Sequence, residues 1–292
     1  MKKITRCDVS FELLKNQIRL NGEMINIPRE VSSILSHTQY KSSLTCFLAK
    51  VIYEQLHTRV TFKNEASKAK TTTYNIADKT LISLLEISNQ GIGWQDNNWK
   101  IISHQKDDTI LALSLQNGIK VKVPVSRVLN SFNSNITIKR AKSMIYASPG
   151  YYVGVSDFGM PDAENGQMAR VYTNITMEGS CRFVERISLF AKVNQIKLYF
   201  KISNNQEGYA RADASVIYLS IADFTQFKKE LIECISKLNK YINDKISIFC
   251  KPLCFGSSYA FETLNDNQTV RSFGEKKANE LAKFLLSKGE TE

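Results

Sequence analysis

Arginine, lysine, tyrosine and asparagine alternate with apolar residues in two stretches, Arg170-Val-Tyr-Thr-Asn-Ile175 and Ile196-Lys-Leu-Tyr-Phe-Lys-Ile202. In an extended chain successive side chains point to opposite faces. Val171, Thr173 and Ile175 then share one face, and Arg170, Tyr172 and Asn174 the other. In the second stretch Ile196, Leu198, Phe200 and Ile202 oppose Lys197, Tyr199 and Lys201. If both apolar rows meet one core, a single sheet surface collects Arg170, Tyr172, Asn174, Lys197, Tyr199 and Lys201. Such a surface suits an anion such as phosphate: arginine offers a planar fork and lysine a compact point charge. Clustered cations also lower a neighbouring lysine's pKa and make it a usable base. Arg211, Asp213, Lys251 and Arg271 lie on adjacent connections and could converge there. Two plainer readings stand beside this one. Any half-exposed strand carries polar residues at every second position, and an Arg-x-Asp pair at the start of a strand often just fixes a loop.

The elements that must position these residues follow from periodicity. Residues 8–60 read as mostly helical, with Leu44, Phe47, Leu48, Val51, Ile52 and Leu56 at helical spacing. Lys63–Thr73 reads as an exposed polar loop, and Thr80–Ser88 as a helix. Strands follow at Trp99–Ser103, Thr109–Leu115, Ile119–Val125 and Asn135–Arg140, with Asn117-Gly118 as a hairpin turn. Beyond Arg170 the pattern predicts a helix over Met177–Val193, a strand over Ser215–Leu219, one long helix over Ala222–Asn243, a short strand over Ile246–Cys250 and a last helix over Val270–Ser287. Gly274 could admit an anion to backbone amides, though a simple helix start with Glu275 in its first turn is the preferred explanation. The expected class is α+β: an N-terminal helical region (1–92), then a mixed, largely antiparallel sheet packed by helices (93–292).

Composition narrows the partners. The 292-residue chain carries +11, and the excess is uneven. Residues 1–150 hold 21 Lys and Arg against 11 Asp and Glu, whereas residues 151–292 hold 18 against 17. A nucleic-acid partner would need a basic helix with interleaved aromatics or a zinc-finger spacing. Neither is present, so the basic surplus reads as solvated surface or as a match for an acidic or phosphorylated peptide. Six scattered cysteines without a C-x-x-C pair read as reduced thiols. His37, His57 and His104 are far apart, so no metal site is expected, and no nucleotide loop calls for a cofactor. No apolar run approaches membrane-spanning length. A cytoplasmic protein is expected, or one exported through a needle-like apparatus.

The pieces Ser148-Pro-Gly-Tyr-Tyr152 with Asp157, Arg170-Val-Tyr-Thr-Asn174, Phe200-Lys201, Tyr209-Ala-Arg-Ala-Asp213 through Tyr218-Leu219, Lys251-Pro-Leu253 and Ser272-Phe-Gly274 carry a resemblance. In order and spacing the chain resembles the HopA-type effector family, which includes type III secreted effectors and lyase subunits of class V lanthipeptide biosynthesis. The resemblance implies a phosphothreonine/phosphoserine lyase-like activity that expels phosphate by β-elimination, without a cofactor or metal. It assigns Lys201 as base and Arg170, Arg211 and Lys251 to the phosphate. Tyr152, Tyr172 and Asn174 become donors or the acid, and Asp213 orients Arg211. A phosphorylated peptide or protein is the implied substrate, with a kinase-like subunit or a secretion chaperone as possible partner. The alternative is a non-catalytic effector or peptide-binding module on the same fold. One departure stands out: phosphothreonine lyases of unrelated sequence use a histidine acid, and residues 105–292 contain no histidine. His37, His57 or His104 would have to reach in from the N-terminal part.

Overall fold

A computed structural model describes residues 19–21, 24–26, 41–59, 77–116, 118–161, 167–263 and 272–288. The Lys63–Thr73 loop, His37 and Arg271 lie outside them. Within the stretch expected to be helical, Arg19–Asn21 (β1) and Met24–Asn26 (β2) pair instead as an antiparallel hairpin. The helical stripe is found at Lys41–Ile52 (α1), which continues into a five-residue π-helical turn, Tyr53–His57. Lys79–Ser88 (α2) starts at Asp78, whose carboxylate accepts from the Leu81 amide at 3.0 Å.

The chain then builds two sheets. The first comprises Trp94–His104 (β3), Thr109–Ser114 (β4), Lys120–Pro124 (β5), Val128–Phe132 (β6) and Asn135–Arg140 (β7), in the order β5-β4-β3-β7-β6. Its edge strands β5 and β6 are joined only by the 3-10 turn Val125–Arg127. So short a link between opposite edges makes the sheet curl over its own apolar face, where Trp99, Ile110, Ala112, Val123, Ile136 and Ile138 are buried together.

The second sheet has six strands: Tyr151–Val155 (β8), Gln167–Thr173 (β9), Leu198–Ser203 (β10), Ser215–Leu219 (β11), Lys251–Cys254 (β12) and Ser257–Thr263 (β13). Its order is β12-β13-β9-β11-β10-β8, and every neighbouring pair is antiparallel. The two strands expected to form one wall, β9 and β10, are therefore not adjacent; β11 lies between them and joins the wall. Helices Ser180–Asn194 (α3), Ile221–Gln226 (α4) and Lys228–Ser236 (α5) cover one face. The long helix expected over 222–243 is broken at Phe227, which leaves helical dihedrals (φ −105°, ψ 20°). Phe183, Val184, Ile187, Phe224, Leu231 and Ile235 pack there against Val171, Leu198, Phe200, Ile202 and Ile217. The opposite face is covered by the π-helical turn and Phe273–Lys288 (α6), with residues 247–250, expected as a strand, forming a turn beneath them. Asp157 joins the two sheets: its Oδ1 accepts from the amides of Ile92 (2.7 Å) and Gly93 (3.0 Å), just before β3. No helix among the described residues is long and apolar enough to cross a membrane.

Candidate functional site

Register decides which side chains share the second face. Directly paired residues of neighbouring strands point the same way. Arg170 is opposite Tyr218 and Ala260, Tyr172 opposite Val216 and Ser258, Tyr199 opposite Tyr218, and Lys201 opposite Val216 and Val153. The wall is thus present, but it is not solvent surface. Tyr172 is 3% exposed and Tyr218 6%, and the Arg170 side chain 13%. That rules out the plain reading of a half-wet strand and gives every charge on this face a lower local dielectric.

Tyr218 sits at the centre. It stacks on Tyr199 with ring centroids 4.2 Å apart, and the Arg170 guanidinium and Lys201 ammonium lie 5.0 and 5.8 Å from its ring. Arg170 is ion-paired to Glu262, whose other oxygen accepts from Lys276 Nζ at 3.0 Å. Lys201 donates to Ser148 Oγ at 3.3 Å and has no carboxylate partner among the described residues. Burial and the nearby Arg170 charge lower its pKa. The Tyr172 hydroxyl is buried with no hydrogen-bond partner among the described residues, as is Nε of Arg170. Burial pushes the Tyr172 pKa well up, so the phenol stays protonated and remains a donor.

Arg211 and Asp213 join this face from the segment before β11. Arg211 Nε and Nη2 donate to the two Asp213 oxygens, each at 2.8 Å, and Nη2 also donates to Tyr53 Oη at 2.9 Å. Burial alone would lower the arginine's pKa and raise the aspartate's. Their mutual attraction overrides both, so Arg211 is raised and Asp213 held below the usual carboxylate range.

The missing imidazole is present. His57, 2% exposed, places Nδ1 2.7 Å from Ser247 Oγ and Nε2 3.7 Å from Asp213 Oδ2, and its ring meets Tyr172 edge-on at 5.1 Å. With the imidazole proton on Nε2, towards Asp213, Nδ1 accepts from Ser247 Oγ, which itself accepts from the Phe249 amide. The ring lies on Gly274, where an added Cβ would be 2.3 Å from His57 Cδ2. Gly274 therefore serves close approach of an imidazole rather than of an anion. Gly274→Ala is expected to destabilise the fold by about 1–3 kcal/mol, since a buried ring must shift; a urea titration at an unchanged slope of free energy on denaturant measures it.

Burial lowers the His57 pKa despite Asp213, with Arg211 and Arg170 adding to the shift and Glu275 opposing it. The folded value lies below the unfolded value of about 6.5. The unfolded chain therefore binds the extra proton. The stabilisation from neutral His57 is complete above about pH 6.5 and is lost as pH falls through the folded value. Unfolding midpoints in urea are expected to drop from about pH 7.5 to about pH 5.5 and to drop less in His57→Gln; parallel profiles would exclude this.

Four sequence-expected residues do not join. Tyr152 pairs with Ile202 on the opposite face, where its hydroxyl donates to Glu86 (2.7 Å) and accepts from Asn89 (3.0 Å). Asn174 follows the end of β9 and holds a loop, donating to the Lys245 carbonyl at 2.8 Å. Lys251 pairs with Tyr259 on an exposed edge, in register with Val171 rather than Arg170. Lys197 precedes β10 and is exposed, and His104 is exposed at the end of β3. Tyr218, Glu262, Tyr53 and Ser247 are site residues that spacing alone did not single out; for Tyr218 and Glu262 the period-two alternation of their strands was the available signal. Among the described residues no group of three or more His, Cys, Asp or Glu side chains is placed to hold a metal.

No curated protein matches this chain. It is similar to the solved effector protein from Pseudomonas syringae pv. tomato strain DC3000 at 13% identity and a TM-score of 0.46, covering 83% of this chain and 79% of that one. It is also similar to the effector protein from Pseudomonas syringae pv. syringae strain 61, at 10% identity and a TM-score of 0.38, covering 87% and 93%. A family model described as the HopA1 effector protein family matches residues 145–292, which carry the six-stranded sheet and all of the wall, and the chain belongs to that family.

Proposed function

We propose that this effector-family protein is a phosphothreonine/phosphoserine lyase acting on a phosphorylated peptide or protein. The observation that carries the reading is Lys201: a half-buried lysine with a lowered pKa, no carboxylate partner among the described residues, and a second cation close by. In the reaction neutral Lys201 takes the Cα proton. The Cα–H electron pair becomes the second bond between Cα and Cβ, and the Cβ–O bond breaks with its pair leaving on the phosphate. Arg170 and Arg211 balance that charge, the Tyr172 hydroxyl, kept protonated by burial, donates a hydrogen bond to the departing oxygen, and the proton held by Lys201 is passed on to the phosphate, which leaves as hydrogen phosphate. His57 is not assigned this proton, because its two nitrogens already face Ser247 and Asp213. Charge supports the same reading. With Lys201 neutral, the buried and half-buried groups Arg170, Arg211 and Lys276 oppose Asp213 and Glu262, three cations to two anions, while Glu275 stands exposed at the rim. A second surplus charge arises on Lys201 as it takes the proton, just as charge develops on the departing phosphate.

A second reading has its own support. Both arginines are already ion-paired, as in a module that recognises a phosphorylated partner without turning it over. Mass spectrometry of phosphothreonine peptides incubated with the protein separates the two. Loss of phosphoric acid to leave a dehydroamino acid is the expected outcome; intact peptide that nevertheless binds would replace the lyase with the module.

A further inference from the structure

Two side chains that hold the Arg211–Asp213 pair come from outside residues 145–292, the segment the family model matches. Both belong to the π-helical turn at the end of α1. Such turns are rare, and they concentrate where a helix must deliver side chains to a site. This one is fastened at its C-terminal end. The Thr58 carbonyl accepts from the amide of Ala212, between Arg211 and Asp213, at 2.7 Å, and the Leu56 carbonyl accepts from the Ile248 amide at 2.9 Å. At its other end the Tyr53 hydroxyl binds Arg211 Nη2, while His57 fills the space bounded by Asp213, Tyr172, Ser247, Phe249 and Gly274.

The consequence for Arg211 is specific. Asp213 takes Nε and one hydrogen of Nη2, and the Tyr53 hydroxyl accepts from the same Nη2 and donates to Asp213 Oδ2 at 3.5 Å, closing the pair into a triangle. Nη1 makes no hydrogen bond among the described residues, so its two hydrogens are the ones left for a ligand. An arginine bound to Asp213 alone keeps the freedom to rotate with it. The hydroxyl of Tyr53 and the imidazole behind Asp213 remove that freedom.

We infer that Tyr53 and His57 are positioning residues that hold Arg211 and Asp213 in the one arrangement that presents Nη1 to an anion. Residues 145–292 are then a family core whose site is incomplete without the turn at 53–57. Calling that anion a phosphorylated residue rests on the proposed lyase reading; the positioning itself does not.

The test uses the full chain. The Arg211 Nε–H resonance reports the pair directly by its exchange with water, with or without a ligand. Tyr53→Phe, which removes one hydroxyl, and His57→Asn, whose amide reaches only the Nδ1 position beside Ser247, are each expected to speed that exchange about tenfold and to weaken phosphothreonine-peptide binding about tenfold, from a single lost buried contact. His57→Gln, whose amide nitrogen can take the place of Nε2 beside Asp213, should recover part of both. If the wild type binds neither the peptide nor inorganic phosphate, the lyase reading falls, and Nε–H exchange alone decides the positioning role. Unchanged exchange in Tyr53→Phe and His57→Asn overturns the inference. Should the histidine variants fail to fold, Tyr53→Phe still decides it.

Discussion

Lys201→Ala is expected to lower kcat for phosphate elimination by about 10²–10⁴-fold while leaving phosphopeptide affinity within about tenfold of wild type. The split follows from what the ammonium does. In the proposed reaction anion binding is shared with Arg170 and Arg211, whereas proton abstraction falls to the one amine among the described residues whose pKa is lowered by burial and by Arg170. Lys201→Arg should be equally inactive despite keeping the charge, because a guanidinium does not deprotonate in a protein. In the wild type the rate should rise with pH and level off below the ordinary lysine value of about 10.4. Retained turnover in Lys201→Ala, measured by peptide mass, would remove lysine from the role of base. Affinity and turnover lost in proportion would make it a binding residue only.

The largest effect on stability is expected from Asp213→Ala. It leaves the Arg211 guanidinium buried without its bidentate partner, at a cost of about 3–5 kcal/mol. The double substitution Arg211→Met with Asp213→Leu should regain most of that stability, since a buried ion pair can be replaced by apolar side chains at little net cost, while phosphopeptide binding stays lost. Because Asp213 is held below the usual carboxylate range, its contribution is present above the unfolded value of about 3.9 and is lost as pH falls through the folded one. Urea titrations of the three proteins at neutral pH are sufficient. A single variant as stable as wild type would mean that the pair is solvated and that the site is wetter than described.

The α+β class and the alternation in β9 and β10 were legible because both are local. So was Lys201, whose face follows from the apolar row of its own strand. What was not legible depends on partners distant in the chain. The insertion of β11 between β9 and β10 brought Tyr218 to the centre, and no local pattern records which strand pairs with which. The parity of Tyr152 was set by its register with Ile202. Asn174, one residue past the β9 ladder, had lost the alternation that predicted its face. Ser257–Thr263 alternates Tyr259 and Phe261 against Ala260 and Glu262, which is the local signature of a strand. His57 appeared only as one of three remote histidines, because its link to Ser247 spans 190 residues.

The curled sheet has a practical consequence. It holds Trp94 and Trp99, and the chain contains two tryptophans in all. Intrinsic tryptophan emission therefore reports on a locally connected unit of residues 94–140, while the wall is joined by contacts such as Tyr53–Asp213, 160 residues apart. Closing loops that long is entropically slow compared with pairing adjacent hairpins. In a refolding experiment the fluorescence should plateau before tyrosine near-ultraviolet dichroism does, and a protein judged folded by its tryptophans can still lack the buried wall of Arg170, Tyr172, Lys201 and Tyr218.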